Sequence, residues 1–187
     1  LEQIEIEPEA WKQLVKKATE DIEAGVVDKV VLAREIRLKF DENVDIAQVL
    51  QHLDDTQTNS YIFAFESNGA QFVGATPERL VKVENQNLLS TCLAGTIPRG
   101  ETAEQDEKLG QELLMDEKNL EEHQFVVRMI REAIEACSEN VDIPASPVLY
   151  PLKNLQHLYT PVRARLKQEH TLLDVVSRLH PTPALGG

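Results

Sequence analysis

Ser60-Tyr61-Ile62-Phe63-Ala64-Phe65-Glu66-Ser67-Asn68-Gly69-Ala70-Gln71-Phe72-Val73 is the stretch that decides the fold class. Two apolar, aromatic-rich runs, Ser60 to Glu66 and Ala70 to Val73, flank Asn68-Gly69. Asn-Gly tolerates the left-handed backbone that a tight turn requires, so the runs are predicted to fold back on each other as antiparallel strands. A second pair follows, Arg79 to Val83 and Leu88 to Leu93, turning at Asn85-Gln86-Asn87. Hairpins of this kind need no helical crossover, whereas parallel strands do. Hairpins outnumber any regular strand–helix–strand pattern, which predicts an α+β fold with largely antiparallel sheets and outer helices.

Working outward, Glu9 to Ala24 reads as an amphipathic helix, with Trp11, Leu14, Val15, Ala18 and Ile22 at helical spacing and Pro8 suited to the first turn. Lys29 to Phe40 reads as a strand, because Val30, Leu32, Ile36 and Leu38 share one parity and Glu35, Arg37 and Lys39 the other. Asp45 to Leu53 is a short helix. On the other side, the polar stretch Ile97 to Glu107, with Pro98 and Gly100, reads as a loop. Lys108 to Ser138 is helical with a break near Asp116. Residues 144–151 form a Pro-rich connection, Leu155 to Leu166 is extended, and Thr171 to Arg178 is helical.

No repeat or low-complexity linker divides the 187 residues, so one domain over 1–187 is expected. The closing Pro-Thr-Pro-Ala-Leu-Gly-Gly reads as the middle of a loop, and the chain is expected to be part of a larger domain. Its acidic opening, Leu1 to Glu9, is unlike a signal peptide, and no apolar run approaches the roughly 20 residues that cross a bilayer. The net charge of −13 argues against nucleic acid as a main partner but not against an anionic small molecule, since a few local cations can dominate a pocket. Cys92 and Cys137 form neither a metal pattern nor a disulfide framework, and read as small core residues in a reducing cytoplasm.

Five places could carry chemistry, and each has a plainer reading beside it. Lys29 borders the apolar run Val30-Val31-Leu32-Ala33. Partly desolvated, its amine would have a lowered pKa and serve as a general base; otherwise it extends its amine into water. Glu78 follows the tight Gly74-Ala75-Thr76-Pro77 turn. Buried, it would hold its proton and could donate it; exposed, it is a turn residue beside Arg79. Leu93-Ala94-Gly95-Thr96 follows a strand, where free amides and the Thr96 hydroxyl could bind a carboxylate, or simply turn the chain. Glu122 is in register with Val126, Ile130 and Ala133 and could turn inward as an oxygen ligand for magnesium, or belong to a solvated Glu-Glu pair near a helix start. His157, between apolar neighbours, is a ligand contact or a hydrogen-bonded structural residue.

These signals recur in one order: Asp28-Lys29-Val30-Val31-Leu32-Ala33-Arg34, Gly74-Ala75-Thr76-Pro77-Glu78-Arg79-Leu80, Leu93-Ala94-Gly95-Thr96, Asp116-Glu117-Lys118-Asn119 running into Glu122-His123, Gln156-His157-Leu158, and His180-Pro181-Thr182-Pro183-Ala184-Leu185-Gly186-Gly187. The set resembles the chorismate-utilising enzymes, which include isochorismate, salicylate, anthranilate and aminodeoxychorismate synthases. The resemblance covers nearly the whole chain. It implies the fold shared by anthranilate synthase component I and aminodeoxychorismate synthase, incomplete here at the C-terminus.

The resemblance also implies roles. Lys29 matches the lysine that activates water for attack at C2 of chorismate. Glu78 matches the acid that protonates the departing C4 hydroxyl. Gly95 and Thr96 match the loop that holds a substrate carboxylate, His157 a pocket histidine, and Glu122 one glutamate of a Mg2+ site. The second magnesium glutamate and a substrate-binding arginine and tyrosine are expected in a C-terminal part that this chain lacks. Lys29, together with Ala94 where aminodeoxychorismate synthases typically carry a lysine, favours water as nucleophile. Ala184, where salicylate synthases tend to have threonine, favours stopping at isochorismate. The wording of Ser90 to Thr96 is similar to menaquinone-pathway enzymes rather than siderophore ones. A salicylate synthase, or a module that binds chorismate without converting it, are the competing expectations.

Overall fold

The computed structural model describes residues 2–27 and 30–182. The chain divides into two compact units with the boundary between Ile46 and Ala47.

In the first unit, β1 (Glu2–Glu5) pairs antiparallel with β2 (Ile36–Lys39), and α1 (Pro8–Glu23) lies between them in sequence. Pro8 takes the first turn of α1, where its missing N–H is no loss. The strand expected over residues 29–40 is confined to Ile36–Lys39. Its partner β1 offers only four residues, and the apolar alternation from Val30 onward finds no ladder among the described residues.

Helix α2 (Ile46–Thr56) starts at the boundary, and the second unit continues with the hairpin β3 (Tyr61–Ser67) and β4 (Ala70–Thr76). Asn68 and Gly69 have φ of 51° and 75°, the left-handed pair that the Asn-Gly signal predicts. The Phe63 ring lies across Gly74, its register partner, where an added Cβ would stand 2.7 Å from the ring. Then come β5 (Lys82–Glu84), β6 (Asn87–Pro98), α3 (Ala103–Met115), α4 (Glu117–Glu135), β7 (Ser138–Asp142), β8 (Val148–Pro151), β9 (Leu155–Leu166) and α5 (Leu172–Leu179). Every strand pair in the described residues is antiparallel, as the hairpin reading requires.

Strand β9 is the spine of a five-stranded sheet. Strand β6 runs along one side of it, while β8 and β7 share the other. Leu88, Cys92 and Ala94 of β6 and Val162, Ala164 and Leu166 of β9 form one face of the core, packed with Val126, Ile130 and Ile134 of α4 and Val175 and Leu179 of α5.

A strand end and a helix start correct the loop expected over residues 97–107. Ile97 and Pro98 complete β6, and α3 begins at Ala103. Thr102 caps it by accepting from the Gln105 amide, a polar start signal hidden in a stretch with no apolar periodicity. Arg99 donates two bonds, of 2.7 and 2.6 Å, to the Asp106 carboxylate, and the buried Gln156 side chain donates to the same carboxylate at 3.0 Å. Arg99 foremost, with the Gly100 amide, holds the Asp106 pKa down to about 2. The break expected near Asp116 falls on that residue, which closes α3 and caps α4 by accepting from the Asn119 amide.

Candidate functional site

A β-bulge sets the geometry. On β6, Leu93 pairs with Tyr159 and Thr96 with His157, so Ala94 and Gly95 together oppose Leu158 alone. The extra residue inverts the alternation of the strand. Leu88, Cys92 and Ala94 point to the helix-covered core. Thr96 has the same parity but emerges on the opposite face, beside His157. Gly95 carries the left-handed φ of 84° that the bulge needs, and a Cβ there would stand 3.0 Å from Leu158 Cδ1 and 3.3 Å from Asn119.

The expected Thr96 and His157 are thus brought together, with Thr96 Oγ1 2.8 Å from His157 Nδ1. His157 is half-buried; burial lowers its pKa below 6.5, and the Gly95 backbone opposes part of that shift. A histidine depressed in the folded state contributes stability that is complete above its unfolded pKa and is lost as pH falls through the lower folded value. Ring titration of His157 by NMR is expected to give a midpoint below 6.5, with unfolding free energy declining on the acid side of that pH. A midpoint at or above 6.5 would contradict the burial.

The same open face carries a cavity of 270 Å³ lined by Tyr61, Pro77, Arg79, Thr91, Tyr150 and Tyr159, among others. Tyr150 is the register partner of His157, and Tyr159 lies two residues along the same strand, so the cavity and the Thr96–His157 pair share one surface. The Tyr150 and Tyr159 rings stand 5.3 Å apart. Arg79 donates to the Tyr61 hydroxyl at 2.7 Å and lies over its ring. Sequence reading missed these side chains. The two-residue step from His157 to Tyr159 on a strand was the signal that could have found them.

Glu78 sits between two lining residues, Pro77 and Arg79. Its amide donates to Thr76 Oγ1 at 3.2 Å, which fixes the turn. The chain beyond it is fastened to β6, as Thr91 and Ser90 donate to the carbonyls of Arg79 and Leu80 at 2.9 and 2.7 Å. Glu78 is half-buried, and burial raises its pKa. That is the state a proton donor requires.

Glu122 does not face inward as its spacing suggests. The buried face of α4 is His123, Val126, Ile130 and Ile134, and Glu122 is exposed. Val126 and Ile130 are common to both phases of the helix, so periodicity alone could not choose. The inward position belongs to His123, 1% exposed, with Nδ1 2.9 Å from the Ala94 carbonyl and Nε2 2.7 Å from Thr160 Oγ1. Burial lowers the His123 pKa, and the Ala94 bond opposes that.

Among the described residues no three metal-ligating side chains cluster. One carboxylate cannot complete the oxygen shell that magnesium demands, so these residues do not by themselves fit the ion. Lys29 and Ala184 lie outside the described residues. No helix among them is long and apolar enough to cross a membrane.

Comparison with known proteins gives this surface a lineage. The chain is 48% identical over 184 residues to isochorismate synthase MenF of Bacillus subtilis, covering 98% of the chain and 39% of that protein. It is 42% identical over 177 residues to the salicylate biosynthesis isochorismate synthase of Pseudomonas aeruginosa, covering 95% of the chain and 37% of the relative. The structure of MenF, the menaquinone-specific isochorismate synthase from Escherichia coli, superposes with a TM-score of 0.91 at 30% identity, over all of this chain and 44% of the other. The chain therefore spans less than half the length of these relatives. The family model for chorismate binding enzymes matches residues 1–187, from the first residue to the last, and the chain belongs to that family.

Proposed function

We propose that the whole protein is an isochorismate synthase, and that residues 1–187 are part of its catalytic domain. The observation that carries this reading is a half-buried Glu78, its pKa raised by burial, flanked by residues of a cavity whose face also bears Thr96 and His157.

The reaction exchanges one hydroxyl position for another. Water attacks C2 of chorismate, the ring double bonds shift, and the C4 hydroxyl departs as water. One water enters and one leaves, so no oxidant or reductant is needed. Hydroxide is a poor leaving group, and a neutral carboxylic acid at Glu78 supplies the proton it requires. Water is a poor nucleophile, and Lys29 is the proposed base. An acid and a base on separate side chains divide the proton work. Gly95 and Thr96 hold a substrate carboxylate, with His157 orienting the Thr96 hydroxyl. Ala184 is the proposed pocket residue that favours stopping at isochorismate. Magnesium, when bound, would fix the ring carboxylate, and Glu122 would contribute one ligand.

The 48% identity to MenF supports the menaquinone branch over the salicylate and siderophore branches. The expected partner is chorismate in the cytoplasm, without nucleic acid or membrane. Full-length protein incubated with chorismate and magnesium is expected to yield isochorismate alone. Salicylate with pyruvate would instead support a salicylate synthase, and no turnover a binding module.

A further inference from the structure

His123 has no part in the steps above, yet it is among the most completely buried polar side chains of the second unit. We propose that His123 is a positioning residue that sets the carboxylate-holding loop of Gly95 and Thr96 by clamping the Ala94 carbonyl from α4. The proposal rests on that reading of the loop.

The physical need comes from the bulge. Ala94 and Gly95 fall outside the β6–β9 register, which jumps from Leu93 to Thr96. Buried backbone carbonyls that leave a ladder must find other donors. His123 supplies one, reaching the Ala94 carbonyl from the core side at 2.9 Å.

The partners also dictate the tautomer of His123. A carbonyl can only accept, so Nδ1 carries the proton. Nε2 of the neutral ring then accepts from the Thr160 hydroxyl at 2.7 Å. One imidazole ties α4, β6 and β9 together at the residue before Gly95. Asn119, one turn earlier on α4, closes the other side of the glycine. The loop's donors are aimed only while this grip holds.

The test uses the full-length protein with chorismate. A loop that holds a carboxylate equally in the ground and transition states governs KM rather than kcat. His123→Ala is expected to raise KM on the order of tenfold with kcat near wild type, the effect of one lost hydrogen bond. His123→Asn, whose amide N–H stands where Nδ1–H does, should recover most of that loss. His123→Gln, whose donor reaches toward Nε2 instead, should not, and it replaces the alanine variant if that one fails to fold. Independently of turnover, 15N chemical shifts of labelled histidine should show His123 as the Nδ1–H tautomer. An Nε2–H tautomer overturns the clamp. An unchanged KM in both the Ala and Gln variants, or an Asn variant no better than Gln, overturns the positioning role. Wild-type protein that does not convert chorismate sinks the functional reading itself, and the tautomer then decides the clamp alone.

Discussion

Glu78→Gln in the full-length protein is expected to lower kcat for chorismate conversion by about 10²–10⁴-fold while leaving the fold intact, the range for a lost general acid. Glutamine keeps the shape of the side chain but has no acidic proton to give. The turn that carries it is fixed through the backbone, by the Thr76 hydroxyl and by the Ser90 and Thr91 bonds to the following carbonyls, so the substitution leaves the local structure in place. Burial holds the Glu78 pKa above its ordinary 4.5. The protonated form therefore persists to higher pH than in an exposed glutamate. Activity that depends on it should fall as pH rises through that raised value. Steady-state kinetics across pH, beside an unfolding curve, checks both parts. A variant within a few-fold of wild type would place the acid elsewhere.

Leu158→Ala is expected to destabilise the protein by about 2–5 kcal/mol, the range for removing a buried leucine from a core that relaxes only partly. Leu158 is fully buried on the central strand, between β6 and β8. Against a total stability of roughly 5–15 kcal/mol for a typical domain this is a large fraction. Its side chain also backs the bulge, since Leu158 Cδ1 is what a Cβ at Gly95 would strike. The void would open directly beneath Gly95. Denaturant unfolding measures the loss, and the Thr96–His157 pair should loosen with it, visible as a change in the His157 ring shifts. A loss below about 1 kcal/mol would mean that the surrounding side chains collapse onto the site.

Much of the architecture was legible because short-range chemistry dictates it. Asn68-Gly69 fixes a hairpin almost unaided, and Leu158, Val162, Ala164 and Leu166 share one parity, which suits the extended reading of Leu155–Leu166. The break at Asp116 was legible for the same kind of reason, since an aspartate serves as a helix cap. What failed depended on partners. The strand over residues 29–40 was shortened by the length of the strand beside it, which no local pattern reveals. The first turns of α3 were hidden because Ala103 to Glu107 is held by caps and a charge pair rather than by an apolar stripe.

The site divides along the same line. The residue types at Glu78, Thr96 and His157 marked them as candidates, and the structure puts Thr96 against His157. The phase of α4 did not announce itself, because Val126 and Ile130 fit either choice. Only the sheet beneath, with its free carbonyl at Ala94, selects His123 over Glu122.

The two-against-one step opposite Leu158 has an evolutionary corollary. A relative with one residue fewer between Leu93 and Thr96 would run as a plain ladder and still deliver a hydroxyl to the histidine across from it. A relative with the same number of residues but no kink would rotate that hydroxyl under the helix and bring Ile97 to the surface. Loss of one residue at this point thus keeps the hydroxyl on its face while removing the bulge, whereas straightening at constant length exchanges the inside of the protein for its outside.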